Sequence, residues 1–324
     1  MKSKNRVRAC FLAAVILVAG AILLSLAVGR FPITWEKLWT DPYTAQIFVS
    51  LRLARTCMVL LAGFSLGIAG GVYQMVFRNP LAAPDIIGVA SGASAGAAAG
   101  ILLFGGGIMT TLWAFGGGFA AVLAALGLSA MTRDRGIANL VLSGIVVNAL
   151  AQSVLMLMKL TADPEKELAS IEFWIMGSFA DVTGSKVVSA APWILAGLAG
   201  LFLLRRQILL LGLEEEEAKM LGVPVGIVRT AILLLATLVT GAVISVTGLI
   251  SFVGLLAPHI ARLLTGSSRF STTILSGLCG GILLLAADVL ARSIGSAEIP
   301  ISIVTSLLGA PFLFWLMCRR GRAV

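Results

Sequence analysis

The chain has 324 residues, 59% of them hydrophobic and only 12% charged, and its mean hydropathy is +1.03. A soluble domain carries about 25% charged residues, so this composition excludes an ordinary soluble fold and makes lipid the solvent for much of the chain. The net charge of +9 sits at the ends of apolar runs, which marks topology determinants and not the basic stripe interleaved with aromatics that would suit nucleic acid.

Apolar runs near the ~20 residues needed to cross a bilayer predict an all-α polytopic membrane protein of about ten transmembrane helices. In chain order they cover 9–29, 54–77, 85–104, 109–131, 137–160, 187–204, 225–247, 249–265, 272–292 and 300–318. The first follows a basic stretch, Lys2, Lys4, Arg6 and Arg8, that mimics a signal peptide. Its apolar run is long and ends in no small-residue cleavage site, so it reads as a retained span. The polar stretch 162–186 lies between the fifth and sixth spans, and its middle, 171–179, suits a short helix. Glycine is abundant at 36 residues, which with Ala and Ser allows close helix packing. Cys10, Cys57, Cys279 and Cys318 lie in or beside apolar runs without paired short spacing, a pattern that supports neither a disulfide nor a metal site.

With the N-terminus in the cytoplasm, 16 lysines and arginines fall inside and 8 outside. That bias predicts both termini in the cytoplasm. Trp35, Trp39 and Trp174 then fall in outer loops, where interfacial anchoring suits them.

The run Phe77-Arg78-Asn79-Pro80-Leu81-Ala82-Ala83-Pro84-Asp85 joins spans two and three. No helix carries it unbroken across a bilayer, so Arg78, Asn79, Pro80 and Pro84 mark a membrane-edge turn or a break buried in protein. Asn79 and Asp85 are expected to satisfy backbone groups freed there. A similar pattern, Gly254-Leu255-Leu256-Ala257-Pro258-His259-Ile260-Ala261-Arg262, recurs at an offset of 174 residues, with Pro258 and His259 at the expected second break. Under that offset 60–86 matches 234–260 at 9 of 27 positions. Helices 2–5 then repeat as helices 7–10, inverted because five spans separate the copies. Broken helices in inverted repeats are a transporter architecture; the alternative is two unrelated turns of similar chemistry. His259, the chain's only histidine, reads as a hydrogen-bonding or packing residue.

No Walker-type glycine loop and no paired-carboxylate arrangement is present in the sequence, so energy must come from a partner or an ion gradient. The longest polar stretch on the inner side is Leu211-Gly212-Leu213-Glu214-Glu215-Glu216-Glu217-Ala218-Lys219-Met220-Leu221-Gly222-Val223-Pro224. Leu213, Ala218 and Leu221 are placed to share a helical face opposed by the carboxylates, with Gly222 as C-cap and Pro224 as stop. The stretch is either a solvated loop or a docking helix.

Several blocks together carry a resemblance: Leu51-Arg52-Leu53-Ala54-Arg55; Tyr73-Gln74 with the 77–82 run and 88–93; Glu217-Ala218-Lys219-Met220-Leu221-Gly222; 248–262; Ala287-Asp288-Val289-Leu290-Ala291-Arg292; Glu298-Ile299-Pro300; and Gly309-Ala310-Pro311-Phe312. From about residue 50 onward the chain resembles the FecCD-type permease subunits of ABC importers for ferric siderophores, haem and cobalamin. The resemblance implies a homodimer, or a dimer with a close paralogue, around a central pathway. It also implies a cytoplasmic ABC ATPase dimer that carries ATP and Mg, an extracytoplasmic substrate-binding protein, and no cofactor on this chain. It assigns 205–224 as a coupling-helix region within one permease domain of residues 1–324, with Glu214, Glu215, Glu216, Glu217, Ala218, Lys219, Leu221 and Gly222 meeting the ATPase. Arg52, Arg55 and Arg292 match outer-face arginines that meet acidic residues of the binding protein, as guanidinium forks do. Asp288, one helical turn from Arg292, would orient it as an i, i+4 pair. Asn148, Gln152 and Ser153, on a helix that flanks the pathway in the family, either line it or pack against neighbours. The family usually has Gly at Glu214 and Pro at Ala54, so the sequence departs from the family pattern at the start of the coupling helix and in the backbone beside Arg55.

The expected function is thus the permease of a bacterial cytoplasmic-membrane importer, most simply for a ferric siderophore and next for haem or cobalamin, with no catalysis of its own. The alternative is an ion-coupled secondary transporter. It would need an ionisable residue within the spans, and Asp288 is the one candidate, already matched to Arg292.

Overall fold

The computed structural model describes residues 2–29, 35–132, 136–267, 269–294 and 297–320. Arg30, Arg133, Arg135 and Arg322, which enter the charge bias, lie outside the described residues. The described elements are all helical: α1 (Lys2–Ala27), α2 (Trp35–Thr40), α3 (Pro42–Ile47), a π-helical stretch (Phe48–Leu53), α4 (Ala54–Val76), a 3-10 turn (Pro84–Ile87), α5 (Val89–Phe104), α6 (Ile108–Met131), α7 (Ile137–Thr161), α8 (Glu167–Met176), α9 (Gly184–Leu203), α10 (Arg205–Leu211), α11 (Glu215–Met220), α12 (Val225–Thr247), α13 (Val253–Thr265), α14 (Phe270–Ser293) and α15 (Ile301–Arg320).

Among the described residues seven helices are long and apolar enough to cross a membrane, counting Pro42–Val76 as one. The shorter apolar helices α5, α13 and α15 complete the ten expected spans. Helix α8 is the short helix anticipated within 162–186, placed a few residues earlier. Helices α2 and α3 were not anticipated. Asp41 caps α3 by accepting hydrogen bonds from the Tyr43 and Thr44 amides, with Pro42 in the first turn.

The internal repeat shows in the elements. Helices α4 and α12 each have 23 residues, and α6 and α14 each have 24. The short helices α5 and α13 each start after a left-handed residue, Gly88 (φ 89°) and Phe252 (φ 65°), and end at a left-handed glycine, Gly105 and Gly266. Five of the span-forming helices lead from α4 to α12, the odd number that an inverted repeat requires. The spacing is not constant. Twelve residues, 77–88, join α4 to α5, whereas five, 248–252, join α12 to α13.

The fixed offset therefore misplaces the second break. Pro258 and His259 lie inside α13, and the break is at 248–252. Pro258 is the sixth residue of its helix, where a proline forfeits one amide bond, to the Gly254 carbonyl, without ending the helix. His259 is buried, and its Nδ1 lies 2.9 Å from the Leu255 carbonyl oxygen and 3.4 Å from Arg262 Nη2. The left-handed turn falls on Phe252, a conformation costing a non-glycine residue about 1–2 kcal/mol. Its ring lies on the bare backbone of Gly309, where a Cβ would collide with it.

At the first break the helix ends in a turn. The Arg78 amide donates to Met75 and the Asn79 amide to Gln74, a Schellman-type end with Arg78 left-handed at φ 48°. The Asn79 side chain accepts from the Leu81 amide at 2.9 Å, and Pro84 opens the 3-10 turn after extended Ala83. Asp85 takes part through its backbone carbonyl, which accepts from Gly88 and from the Asn148 side chain.

The chain groups into two compact units: Met1–Ile68 with Met176–Ser189 and Ile250–Val324, and Ala69–Ile175 with Ala190–Leu249. In the first, Ala14 packs with Ala257, Ala261, Leu275 and Cys279, and Gly63 lies so close to Gly280 that neither site has room for a methyl group. In the second, Gly92 and Gly117 bring α5 and α6 together in the same way. Such contacts substitute dispersion at short range for the hydrophobic effect that lipid cannot supply.

Candidate functional site

The C-terminal end of α1 leaves carbonyl groups without helical partners. Two of the singled-out arginines meet them. Arg292 Nη1 donates to the Val28 carbonyl at 2.7 Å, and its Nη2 donates to the Ser25 carbonyl and hydroxyl, both at 2.9 Å. Arg52 Nη1 donates to the Leu26 carbonyl at 3.1 Å. Gly29 leaves the room this needs, because a Cβ there would strike the Arg52 guanidinium. Positive charge at a helix C-terminus is also electrostatically favourable.

The third arginine holds two carboxylates. Arg55 Nε and Nη2 donate to Asp288 Oδ1 at 3.0 and 2.7 Å, Nη1 donates to Glu298 Oε2 at 3.1 Å, and Nη2 also reaches Glu298 Oε1. Asp288 is fully buried, and Arg292 Nε lies 3.2 Å from its Oδ2, near enough for an ion pair though not aligned as a hydrogen bond. The expected i, i+4 pair on α14 is present. The exposed forks are not. The Arg292 side chain is 6% exposed and that of Arg55 14%, and both are committed within the fold. Burying the Arg55 and Arg292 guanidiniums is tolerable only because carbonyls and carboxylates meet them.

In the second unit, α11 is a single helical run following Glu214, which serves as N-cap. It ends in a Schellman motif: the Val223 amide donates to Ala218 at 3.1 Å and the Gly222 amide to Lys219 at 2.9 Å, with Gly222 left-handed at φ 78°. Pro224 caps α12, so the C-cap and stop read from the sequence are both in place. Ala218 is the buried contact of α11. Leu213 and Leu221 fall outside this short helix and are 40% and 60% exposed, so the apolar face expected to join them to Ala218 does not form.

Glu215 anchors α11. It accepts from Arg229 Nη2 of α12 at 2.9 Å and pairs with Lys219 Nζ at 3.1 Å. The hydrogen bond from Arg229 holds the Glu215 carboxyl below its usual range, and Lys219 adds to this. The remaining surface mixes exposed Glu214, Glu216 and Glu217 with Leu221 and with Met220 at 80% exposure.

Residues 15–319 match the FecCD transport family. The chain belongs to the FecCD transport family. Within it, the chain is 35% identical to the molybdate import permease MolB of Haemophilus influenzae, covering 93% of this chain and 92% of that one. It is 32% identical to the hemin permease HmuU of Yersinia pestis over 94% of both chains. A solved metal-chelate-type ABC transporter in an inward-facing conformation superposes with a TM-score of 0.88 at 32% identity, covering 96% of this chain and 99% of that one. The chain is accordingly an ABC-importer permease of the FecCD family and a multi-pass membrane protein.

Against that family background, the fifth-span residues separate. Asn148 is engaged: its Nδ2 donates to the Asp85 carbonyl at 2.7 Å and its Oδ1 accepts from Ser91 at 2.5 Å. It pins the 3-10 turn to α5 and α7. Gln152 and Ser153 are exposed, and the Ser153 hydroxyl bonds back to the Ala149 carbonyl. Sequence reasoning missed Ser25, Gly29, Glu298 and Arg229 as functional partners. Glu298 lay within a quoted motif; the others have partners too distant in sequence for local pattern to reveal.

Proposed function

We propose that this chain is the membrane subunit through which an ABC importer passes a bulky metal chelate into the cytoplasm, ferric siderophore first and haem or cobalamin next. ATP and Mg belong to a separate pair of ATPase subunits, and a second copy of the chain, or a close paralogue, completes the pathway. The observation that carries the reading is α11: a short helix locked at both ends, by Glu215–Arg229 and by the Gly222 motif, with its exposed side unused by the fold. A rigid knob of this kind transmits a push from a docked ATPase, whereas a solvated loop would absorb it. Met220 and Leu221 supply apolar contact and Glu214, Glu216 and Glu217 a charged rim, the usual division within an interface.

The relatives are named for molybdate, hemin, cobalamin and ferric dicitrate, ligands that differ widely in size and charge and have only a transition metal in common. That breadth supports a pathway of low selectivity, with substrate choice left to an extracytoplasmic binding protein that docks near Arg52. The charge bias favours both termini in the cytoplasm. An ion-coupled carrier fits less well, because Asp288 is enclosed by Arg55 and Arg292 and offers no open carboxylate to a coupling ion.

Uptake by proteoliposomes tests the proposal. Reconstituted with a partner ATPase and binding protein, the chain should accumulate radio-iron siderophore only when ATP is within reach of the ATPase. Uptake that ignores nucleotide and follows a proton or sodium gradient would sink it.

A further inference from the structure

Arg55 holds two carboxylates in unequal settings. Asp288 is fully buried on α14 and is shared with Arg292. Glu298 is 17% exposed, lies on the connection before α15, and meets Nη1 and Nη2, the end of the guanidinium fork. Taking Asp288 away would strand buried positive charge. Taking Glu298 away would open the fork end to water or to another carboxylate. The backbone around Glu298 is fixed separately, with the Ile299 amide on the Ala291 carbonyl at 3.1 Å and the Ile301 amide on the Gly177 carbonyl at 2.9 Å. Glu298 can therefore leave the fork by side-chain rotation alone. Arg55 and Arg292 share the one Asp288 carboxylate, and Glu298 supplies a second carboxylate to Arg55.

We propose that Glu298 is a displaceable internal ligand of Arg55. In the resting permease it fills the fork and ties the start of α15 to the start of α4. A carboxylate of the docked binding protein takes its place, so docking at this face is read out as loss of the Glu298 side-chain tie between the start of α15 and the start of α4. The inference rests on the reading that a binding protein docks beside Arg52, and it adds that the permease carries its own competitor for that contact. It also accounts for the burial of Arg55: the docking fork is present but occupied.

The test uses the full permease–ATPase complex in lipid nanodiscs, with binding-protein affinity measured at fixed low salt. Glu298→Gln keeps the size and removes the charge. Glu298→Asp keeps the charge but falls one methylene short of the fork. Both should bind the binding protein more tightly, by about fivefold, the change one partly exposed ion pair is worth, and both should raise ATP hydrolysis in its absence. Arg52→Gln keeps a donor for the Leu26 carbonyl and probes docking itself; it should weaken binding. If Arg52→Gln weakens binding while neither Glu298 variant tightens it, Glu298 is not a competitor and the inference falls alone. If Arg52→Gln changes nothing, the docking reading falls and takes the inference with it. Weaker binding in both Glu298 variants would make Glu298 part of the docking surface and overturn the proposal equally.

Discussion

Helix α14 and helix α11 each carry an i, i+4 ion pair, Asp288 with Arg292 and Glu215 with Lys219. The first pair is 0% and 6% exposed; the second is 28% and 60% exposed. The chemistry is nearly the same and the consequences are not. Inside the fold each charge must be answered, and the answers come from α1 carbonyls, Ser25, Arg55 and Glu298, so the pair becomes the centre of a network. At the surface water answers most of the charge, so the pair contributes little by itself and leaves its helix available to a partner. The permease thus keeps rigid charge at one site and presentable charge at the other.

The widest gap between the two sites should appear on removing Asp288. Asp288→Ala leaves Arg55 and Arg292 facing each other without their shared carboxylate, and breaking a buried pair in this way costs about 3–5 kcal/mol. Thermal unfolding of the purified protein should show that loss, and the membrane yield should fall with it. A variant as stable as wild type would mean that the cluster is solvated and the comparison mistaken. A smaller effect is expected at the end of α11. Gly222→Ala places a Cβ on a left-handed residue, at about 1 kcal/mol, and frays the Schellman motif. Global stability should barely move, while ATPase stimulation in the assembled importer should drop. A fall in stability as large as that of Asp288→Ala would show that α11 is part of the core and not a platform.

The sequence carried some of this plainly and hid the rest for physical reasons. Ten apolar runs were legible because a bilayer sets one length for every span. The end of α11 was legible because Gly222 and Pro224 obey local rules that need no tertiary partner. The second break was not, because a proline advertises itself by type while its effect depends on its place in a helix; Pro258 sits past the first turn of α13 and is absorbed. The residue that does turn the chain, Phe252, has no turn signature, and what accommodates its ring is Gly309, far along the chain. The arginines were found by motif and their i, i+4 partner by spacing. Their burial was hidden because it depends on Ser25 and Glu298, whose contacts with them are tertiary.

The smallest effect is expected in the response of α11 to acid. Glu215 titrates below its ordinary value of 4.5, chiefly because Arg229 donates to its charged form. A carboxyl whose folded pKa is depressed contributes stability that is complete above the unfolded value and is lost as pH falls through the folded one. Protection of the α11 amides against hydrogen exchange, corrected for intrinsic rates, should therefore be flat from neutral pH down to about 5 and fall below that. Glu215→Gln keeps an acceptor for Arg229 but has no charge to lose, so its protection should be lower at neutral pH, by less than about 1 kcal/mol, and should not change with acid. Parallel pH curves for the two proteins would show that Glu215 does not fasten α11 to α12, and the helix would then need another anchor to act as a rigid coupling element.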